Sequence, residues 1–272
     1  MTTLLCFTNV KSQSIEVGLM TGVANYYGDL NANFGFNYIR PAASLLVKQN
    51  LNYYISVKGT ASYGKVGASD NQQSQVFEKT RNLSFQSNIF ELAAQVELNF
   101  FRYELENLNH YFTPYLTTGA AVFRFNPKTE LDGQMINLQP IGTEGQMNPD
   151  ISNNSPYALN QFAIPMGMGF KYWIGGNWTI GGEITYRKTF TDYIDDVSDA
   201  YVDDFILGPV AQLVHDQSTV EPNTLGTSDK QRGNRISTDD YLFGGVFITR
   251  TFNRSQCPSA KKGKNASLRG RR

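Results

Sequence analysis

From Asn88 to Phe100 the chain alternates two by two: Phe90, Leu92, Ala94, Val96, Leu98 and Phe100 fall on one parity, Glu91, Gln95, Glu97 and Asn99 on the other. Successive side chains of a strand point to opposite faces, so a period of two predicts a strand with one apolar and one polar face. At roughly 3.3 Å per residue, 13 residues reach about 43 Å. That is long for a globular strand and suits one tilted across a bilayer.

Seven further segments carry the same pattern. In 15–26, Ile15, Val17, Leu19 and Val23 oppose Glu16, Gly18 and Gly22. Segments 39–48 and 53–64 form a hairpin, and in the latter Tyr53, Ile55, Val57, Ala61 and Tyr63 oppose Ser56, Lys58, Thr60 and Ser62. After 112–125 comes 158–173, where Phe162, Ile164, Met166, Met168, Phe170 and Tyr172 share a face opposite Ala163, Gly167, Gly169 and Lys171. Gly175-Gly176-Asn177 predicts a tight turn into 178–190, which sets Trp178, Ile180, Ile184 and Tyr186 against Thr179, Glu183, Thr185 and Arg187. The last strand is 241–252.

The connections alternate in length: long at 27–38, 65–82, 126–157 and 191–239, short at 49–52, 101–111 and 174–177. Even strand number with alternating long loops and short turns is the pattern of bacterial outer-membrane barrels. The expected fold is all-β, an eight-stranded antiparallel transmembrane β-barrel with short periplasmic turns, long extracellular loops and both termini in the periplasm. A lipocalin-like soluble barrel is the competing fold, but loops of this length are unusual for it.

Eight strands leave an interior just wide enough for side chains. The inward charges Glu16, Lys58, Glu91, Glu97, Lys171, Glu183 and Arg187 are therefore expected to fill it as a paired network, a structural plug rather than a pore lining. Aromatic residues gather near strand ends, as membrane girdles do: Phe100, Phe101, Tyr172, Trp173, Trp178 and Phe252, with Tyr26, Tyr27, Phe123, Phe125 and Tyr241 read the same way.

Composition agrees. The chain is 13% aromatic with a mean hydropathy of −0.36, and it holds no apolar run near the 18 to 20 residues a membrane helix needs. Barrels keep hydropathy low because half of each strand faces a polar interior. Of 24 Lys and Arg, seven lie in 253–272, which has no acid, so this segment reads as a basic periplasmic tail, a solvated arm rather than a nucleic-acid contact. Residues 1–14 read as the remnant of an export signal: an apolar Leu4-Leu5-Cys6-Phe7 patch, then Ser12 and Ser14 at positions fit for cleavage after Ser14. The barrel would span 15–252. Cys6 and Cys257 make neither a disulfide framework nor a zinc spacing.

Catalytic candidates are few. His215-Asp216 with Ser218 lies in the longest loop, His110 in a short turn, and both histidines are expected at the surface. The acidic run Asp192-Tyr193-Ile194-Asp195-Asp196-Val197-Ser198-Asp199 lacks the spacing and glycine of an EF-hand and reads as a solvated loop, bridged by divalent ions to lipopolysaccharide. Gly142-Thr143-Glu144-Gly145 is not a phosphate loop, since no Lys-Ser/Thr pair follows. No catalytic, cofactor or metal site is expected.

Four segments, 22–30 (Gly-Val-Ala-Asn-Tyr-Tyr-Gly-Asp-Leu), 113–119 (Thr-Pro-Tyr-Leu-Thr-Thr-Gly), 138–146 (Leu-Gln-Pro-Ile-Gly-Thr-Glu-Gly-Gln) and 191–198 (Thr-Asp-Tyr-Ile-Asp-Asp-Val-Ser), resemble the PorG family, outer-membrane barrels of the Bacteroidetes type IX secretion system. The resemblance runs from about Ser14 to Pro258. It implies a non-enzymatic component that holds the periplasmic ring of the lipoprotein PorK and its partner PorN. Two other functions fit the loops: a small structural or adhesive barrel acting through its extracellular surface, and a lipid-modifying enzyme built on His215.

Overall fold

The computed structural model describes residues 14–32, 35–36, 38–73, 75–105, 107–148, 155–218, 225–234 and 236–252. The leader over 1–13 and the basic tail over 253–272 lie outside the described residues.

The strands are β1 (Ser14–Tyr27), β2 (Arg40–Asn50), β3 (Ile55–Ser69), β4 (Ser84–Asn99), β5 (Phe112–Arg124), β6 (Pro127–Leu131), β7 (Gln134–Asn137), β8 (Asn160–Gly175), β9 (Trp178–Thr189) and β10 (Asp240–Phe252). Eight of them close a barrel in the order β1-β2-β3-β4-β5-β8-β9-β10, every pair antiparallel, with β10 returning to β1. Closure leaves no open sheet edge in the wall, so all its backbone groups can pair within it. The eight-stranded barrel read from the periodicity is what the structure shows, with strand ends shifted by a few residues.

Two short turns and one longer connection (51–54, 176–177 and 100–111) lie at the end where the chain enters β1 and leaves β10, here called the turn end. The two-residue connection follows Gly175 and contains Gly176, whose φ values of +111° and +55° suit glycine alone. The longer connections gather at the opposite, loop end.

One of those connections differs from expectation. Segment 126–157 contains the hairpin β6–β7, turned by Asp132 and Gly133 at φ 51° and 78°. An Asp-Gly pair with both residues at positive φ is a preferred two-residue hairpin turn. β6 continues the wall of β5, pairing with β4 through Gln86↔Lys128 and Ser87↔Pro127.

The wall sorts residues as the pattern requires. Leu19, Leu45, Val57, Leu92, Val122, Met168, Ile184 and Val246, one from each barrel strand, point outward and are between 39% and 67% exposed. An apolar girdle around a whole barrel is far larger than the patches water-soluble monomers expose, and it is the surface chemistry of a barrel set in lipid. Inside, large and small residues alternate to fit the bore. Gly64 faces Phe243, whose ring would lie 2.7 Å from a Cβ at that position, so the ring occupies space that any side chain would take. The loop-end half of the interior is an aromatic core that includes Tyr26, Phe85, Ile89, Phe123, Tyr241 and Phe243. The turn-end half is polar.

Candidate functional site

In the turn-end half, Glu97 of β4 sits among three lysines from three other strands. Lys48 Nζ of β2 lies 2.9 Å from its Oε1, Lys171 Nζ of β8 3.0 Å from its Oε2, and Lys58 Nζ of β3 3.4 Å from Oε1. Lys58 also donates to Glu183 of β9 at 2.5 Å, and the Tyr115 hydroxyl donates to the same carboxylate at 2.6 Å. One level nearer the loop end, Arg187 grips Glu91 through two N–H···O contacts of 3.1 Å, and Tyr241 donates to Glu91 at 2.7 Å. At the turn end Glu16 stands opposite Lys48 in the β1–β2 register but forms none of the ion pairs found among the described residues, and it is held by Asn50 at 2.6 Å and Thr249 at 2.7 Å.

The structure thus brings six of the seven inward charges into ion pairs and leaves Glu16 on neutral donors. It adds Lys48, which completes a balance of four acids and four bases, all inside the barrel. Charges taken out of water this far are tolerable when paired or hydrogen-bonded, and each of these eight is one or the other. The space left among Lys58, Gln95, Glu183 and Arg187 has a volume of about 10 Å³, room for about one water. The turn-end half of the interior is thus filled by these side chains.

The aromatic residues at the turn end divide as follows. Phe100, Phe101, Tyr172, Trp178 and Phe252 are 42% to 57% exposed on the outer wall, and Trp173 is half-buried. Cations stack against this row: Arg250 lies 5.7 Å from the Trp178 ring and 5.4 Å from that of Phe252, and Arg102 is 4.2 Å from Tyr53. An aromatic edge carrying cationic heads suits a water–lipid boundary. Tyr26, Phe123, Phe125 and Tyr241 are not girdle residues: they point inward and are buried, Tyr26, Phe125 and Tyr241 completely. Tyr27 is buried too, but it has the outward parity of β1 and packs against the Tyr186 ring at 6.3 Å.

The loop end is closed by a cap stitched from all four long connections. Its centre is Arg232, 2% exposed, which donates from Nη1 to Glu144 Oε1 at 2.7 Å and to the Asp196 carbonyl at 2.6 Å. Glu144 Oε1 also accepts the backbone N–H of Ser198 at 3.0 Å. Asp196 accepts from Thr143, and from Tyr157 at 2.6 Å. Arg81, last residue of the helix α1 (Val76–Arg81), clamps Asp70 at 2.7 and 2.8 Å and reaches the carbonyls of Arg232 and Asp29. Tyr26 Oη lies 2.6 Å from both Asp195 Oδ2 and Asp239 Oδ1.

Two expectations are overturned here. The acidic run is not a solvated loop: Ile194, Asp195, Asp196 and Val197 are buried, because Tyr26, Thr143, Tyr157 and backbone N–H groups supply the donors that water would otherwise provide. His215 is not at the surface. It ends the helix α2 (Pro209–His215), is fully buried, and holds the Thr143 carbonyl on Nδ1 at 2.6 Å, with Tyr201 edge-on at 5.0 Å. Nδ1 must carry the proton there, since a carbonyl only accepts. This arrangement commits the ring to structure rather than to the neighbouring Asp216 and Ser218. Among the described residues no three His, Cys, Asp or Glu side chains converge as metal ligands.

Burial sets the electrostatics of the cap. It pushes the Asp195 and Asp239 carboxyls well above the ordinary carboxylate range, Asp195 further because Asp239 faces it. Asp192 is pushed up to about 9 by burial, and Asp196 to about 6 despite Arg232. Burial and the Arg232 charge hold His215 below its usual value. For Arg232 itself burial works against the charge, and Glu144 and Asp196 more than offset it.

No protein of curated function matches the sequence. Several solved structures are similar to the chain. OprG from Pseudomonas aeruginosa matches at 8% identity and a TM-score of 0.44, over 89% of this chain and 97% of its own. Neisserial surface protein A matches at 9% and 0.43, over 89% and 100%. Ail, the attachment invasion locus protein of Yersinia pestis, matches at 9% and 0.42, over 89% and 99%. The model of the family described as a domain of unknown function, DUF6089, matches residues 1–205, and the chain belongs to that family.

Proposed function

We propose that this barrel resides in the outer membrane with its turn end in the periplasm, and that it acts without catalysis as a membrane anchor for the periplasmic PorK/PorN ring of a type IX secretion system. The observation that carries the reading is the ion-pair network on Glu97: an apolar-walled barrel whose turn-end half is filled by paired side chains, with about 10 Å³ left among Lys58, Gln95, Glu183 and Arg187, offers surfaces rather than passage. What points those surfaces at a secretion ring is the resemblance of segments 22–30, 113–119, 138–146 and 191–198 to the PorG family. The turn end gathers two short turns and the longer connection 100–111, on which Leu108 is 78% exposed, a compact face for a ring protein to cover.

Pull-down of the tagged barrel from native outer membranes, with and without residues 254–272, tests this. PorK and PorN are expected to co-purify with the full chain, and no co-purification with it, together with normal secretion after gene deletion, would sink the reading. A second reading has its own observation: Val76, Phe205 and Ile236 are 81%, 84% and 93% exposed on the ordered cap. An adhesive barrel would use such residues, and replacing all three with Ser would then abolish the phenotype while trimming 254–272 would not.

A further inference from the structure

The outer wall is uneven on one side. On β2 and β3, Ala43 and Ala61 stand where neighbouring positions carry Leu45 and Tyr63, and a groove of about 540 Å³ opens between Leu45, Leu92 and Phe90, ending toward the loop end at Arg124. Tyr63 and Phe90 pack at 4.9 Å along it. The groove belongs to the apolar girdle, so whatever fills it in a membrane is hydrocarbon.

Directly beyond its loop end lies a second, smaller pocket of about 100 Å³, between the β3–β4 rim and the β6–β7 hairpin. Arg40 and Lys128 line it, with Gln86, Ser84 and the single acid Glu130. Thr129, 4% exposed, forms its floor and also borders the interior space beside Leu30 and Asp195.

The registers bring more cations to the same place. Lys65 pairs with Asn88, Arg124 with Phe90 and Lys128 with Gln86, so the three surround the outward row Gln86, Asn88 and Phe90 of β4. Neighbouring strands are about 4.8 Å apart, which places Lys65 about 10 Å across the wall from the β5–β6 line. Arg124 and Lys128, four residues apart on that line, are separated by about 13 Å. None of these cations takes part in the ion pairs found among the described residues.

We infer that this side of the wall is a binding site for a phosphorylated, acylated membrane lipid. An acyl chain lies in the Ala43–Ala61 groove, and the phosphate reaches the Arg40–Lys128 pocket with Lys65 and Arg124 beside it. Cations above an aromatic row meet a headgroup where the hydrocarbon ends. β6–β7 gains a role from this, since its register carries Lys128 over the mouth of the groove. The site rests on the proposed membrane residence but not on ring docking.

Native mass spectrometry of the purified full chain in detergent, titrated with lipid A, tests it. The wild type is expected to retain lipid A, and Arg124→Gln/Lys128→Gln to lose it about tenfold. Ala61→Phe, which fills the groove and leaves the cations, is expected to weaken retention similarly, while Arg250→Gln at the turn end leaves it unchanged. Heat-modified gel migration reports that each variant is folded. Equal retention by wild type, the Arg124→Gln/Lys128→Gln variant and Ala61→Phe would overturn the site, as would equal retention of dephosphorylated lipid A. Competition by inorganic phosphate with no effect of Ala61→Phe would reduce it to an anion pocket and overturn the lipid assignment. Ring pull-down on the same variants separates the two readings: lipid loss with intact PorK/PorN recovery leaves anchoring standing, and lipid retention without ring recovery leaves only the site.

Discussion

Asp195 and Asp239 meet on one phenol: each places a carboxylate oxygen 2.6 Å from Tyr26 Oη. A hydroxyl has one proton to donate, so it can serve only one of two carboxylates. The other contact is a hydrogen bond only if a carboxyl carries the proton. The pair, which accepts backbone N–H groups from Leu30, Ile194 and Val197, therefore keeps at least one proton when the cap is closed.

Stability of the cap should consequently fall as pH rises. A carboxyl whose value in the fold is raised binds its proton more tightly folded than unfolded, so its contribution is complete below the ordinary carboxyl value and is lost as pH climbs through the folded one. Asp195 and Asp239 are both raised, Asp29 and Asp192 facing them add negative charge, Glu144 adds to that on Asp29 and Asp192, and burial pushes Asp192 up to about 9. Arg81 is the facing cation that opposes them. Hydrogen exchange in 190–199, normalised to intrinsic rates, is expected to accelerate between about pH 5 and pH 9 and to flatten in Asp195→Asn. A pH-independent profile in the wild type would show that the pair is not protonated.

His215 sets a limit on the other side. Its value is lowered by burial and by Arg232, so its contribution is present above about 6.5 and is lost as pH falls toward and below the folded value. Limited proteolysis of the cap should quicken below about pH 6. His215→Gln keeps an N–H for the Thr143 carbonyl without the titration and should remove that acid limb. A variant with the same acid sensitivity would assign the effect elsewhere.

Glu97 is the shared anion of Lys48, Lys58 and Lys171, all at most 2% exposed. Glu97→Gln leaves Lys48 and Lys171 without their carboxylate and should cost about 3–5 kcal/mol, the usual loss when one member of a buried pair is removed. Replacing Glu97 and Lys171 together by Met should recover part of it. Urea unfolding in lipid vesicles gives both numbers, and a single variant within about 1 kcal/mol of wild type would show that water reaches these lysines.

The strands were legible wherever one face is apolar throughout, as in β4, because a period of two survives the loss of everything non-local. Lys48 was missed for the converse reason: in Leu45-Leu46-Val47-Lys48 both faces are apolar just before the charge, since Leu46 packs inside against Met20, Tyr115 and Phe247. Tyr26 and Tyr241 were assigned to a girdle on their position at strand ends. Parity held the better signal, for Tyr26 lies an even ten residues from inward Glu16. Asp132-Gly133 could have disclosed β6–β7. The cap could not have been found this way, since Arg232 and Glu144 are 88 residues apart and no local period connects them.

The last test concerns the bore itself. Gly64 on β3 and Phe243 on β10 share one level of the interior, and a Cβ at Gly64 would meet the Phe243 ring at 2.7 and 3.0 Å and Ala24 Cβ at 3.3 Å, side-chain atoms alone. Gly64→Val should overpack this level and cost about 1–3 kcal/mol. Phe243→Ala should cost about 3–5 kcal/mol by opening a cavity in the aromatic core. Because the added methyls enter the space the ring vacates, the double variant should be more stable than the two losses predict, by about 0.5–3 kcal/mol. A double-mutant cycle from urea unfolding in vesicles measures that coupling. Strict additivity would mean that the two residues do not compete for one space, and that the small-against-large pairing does not set the width of the bore.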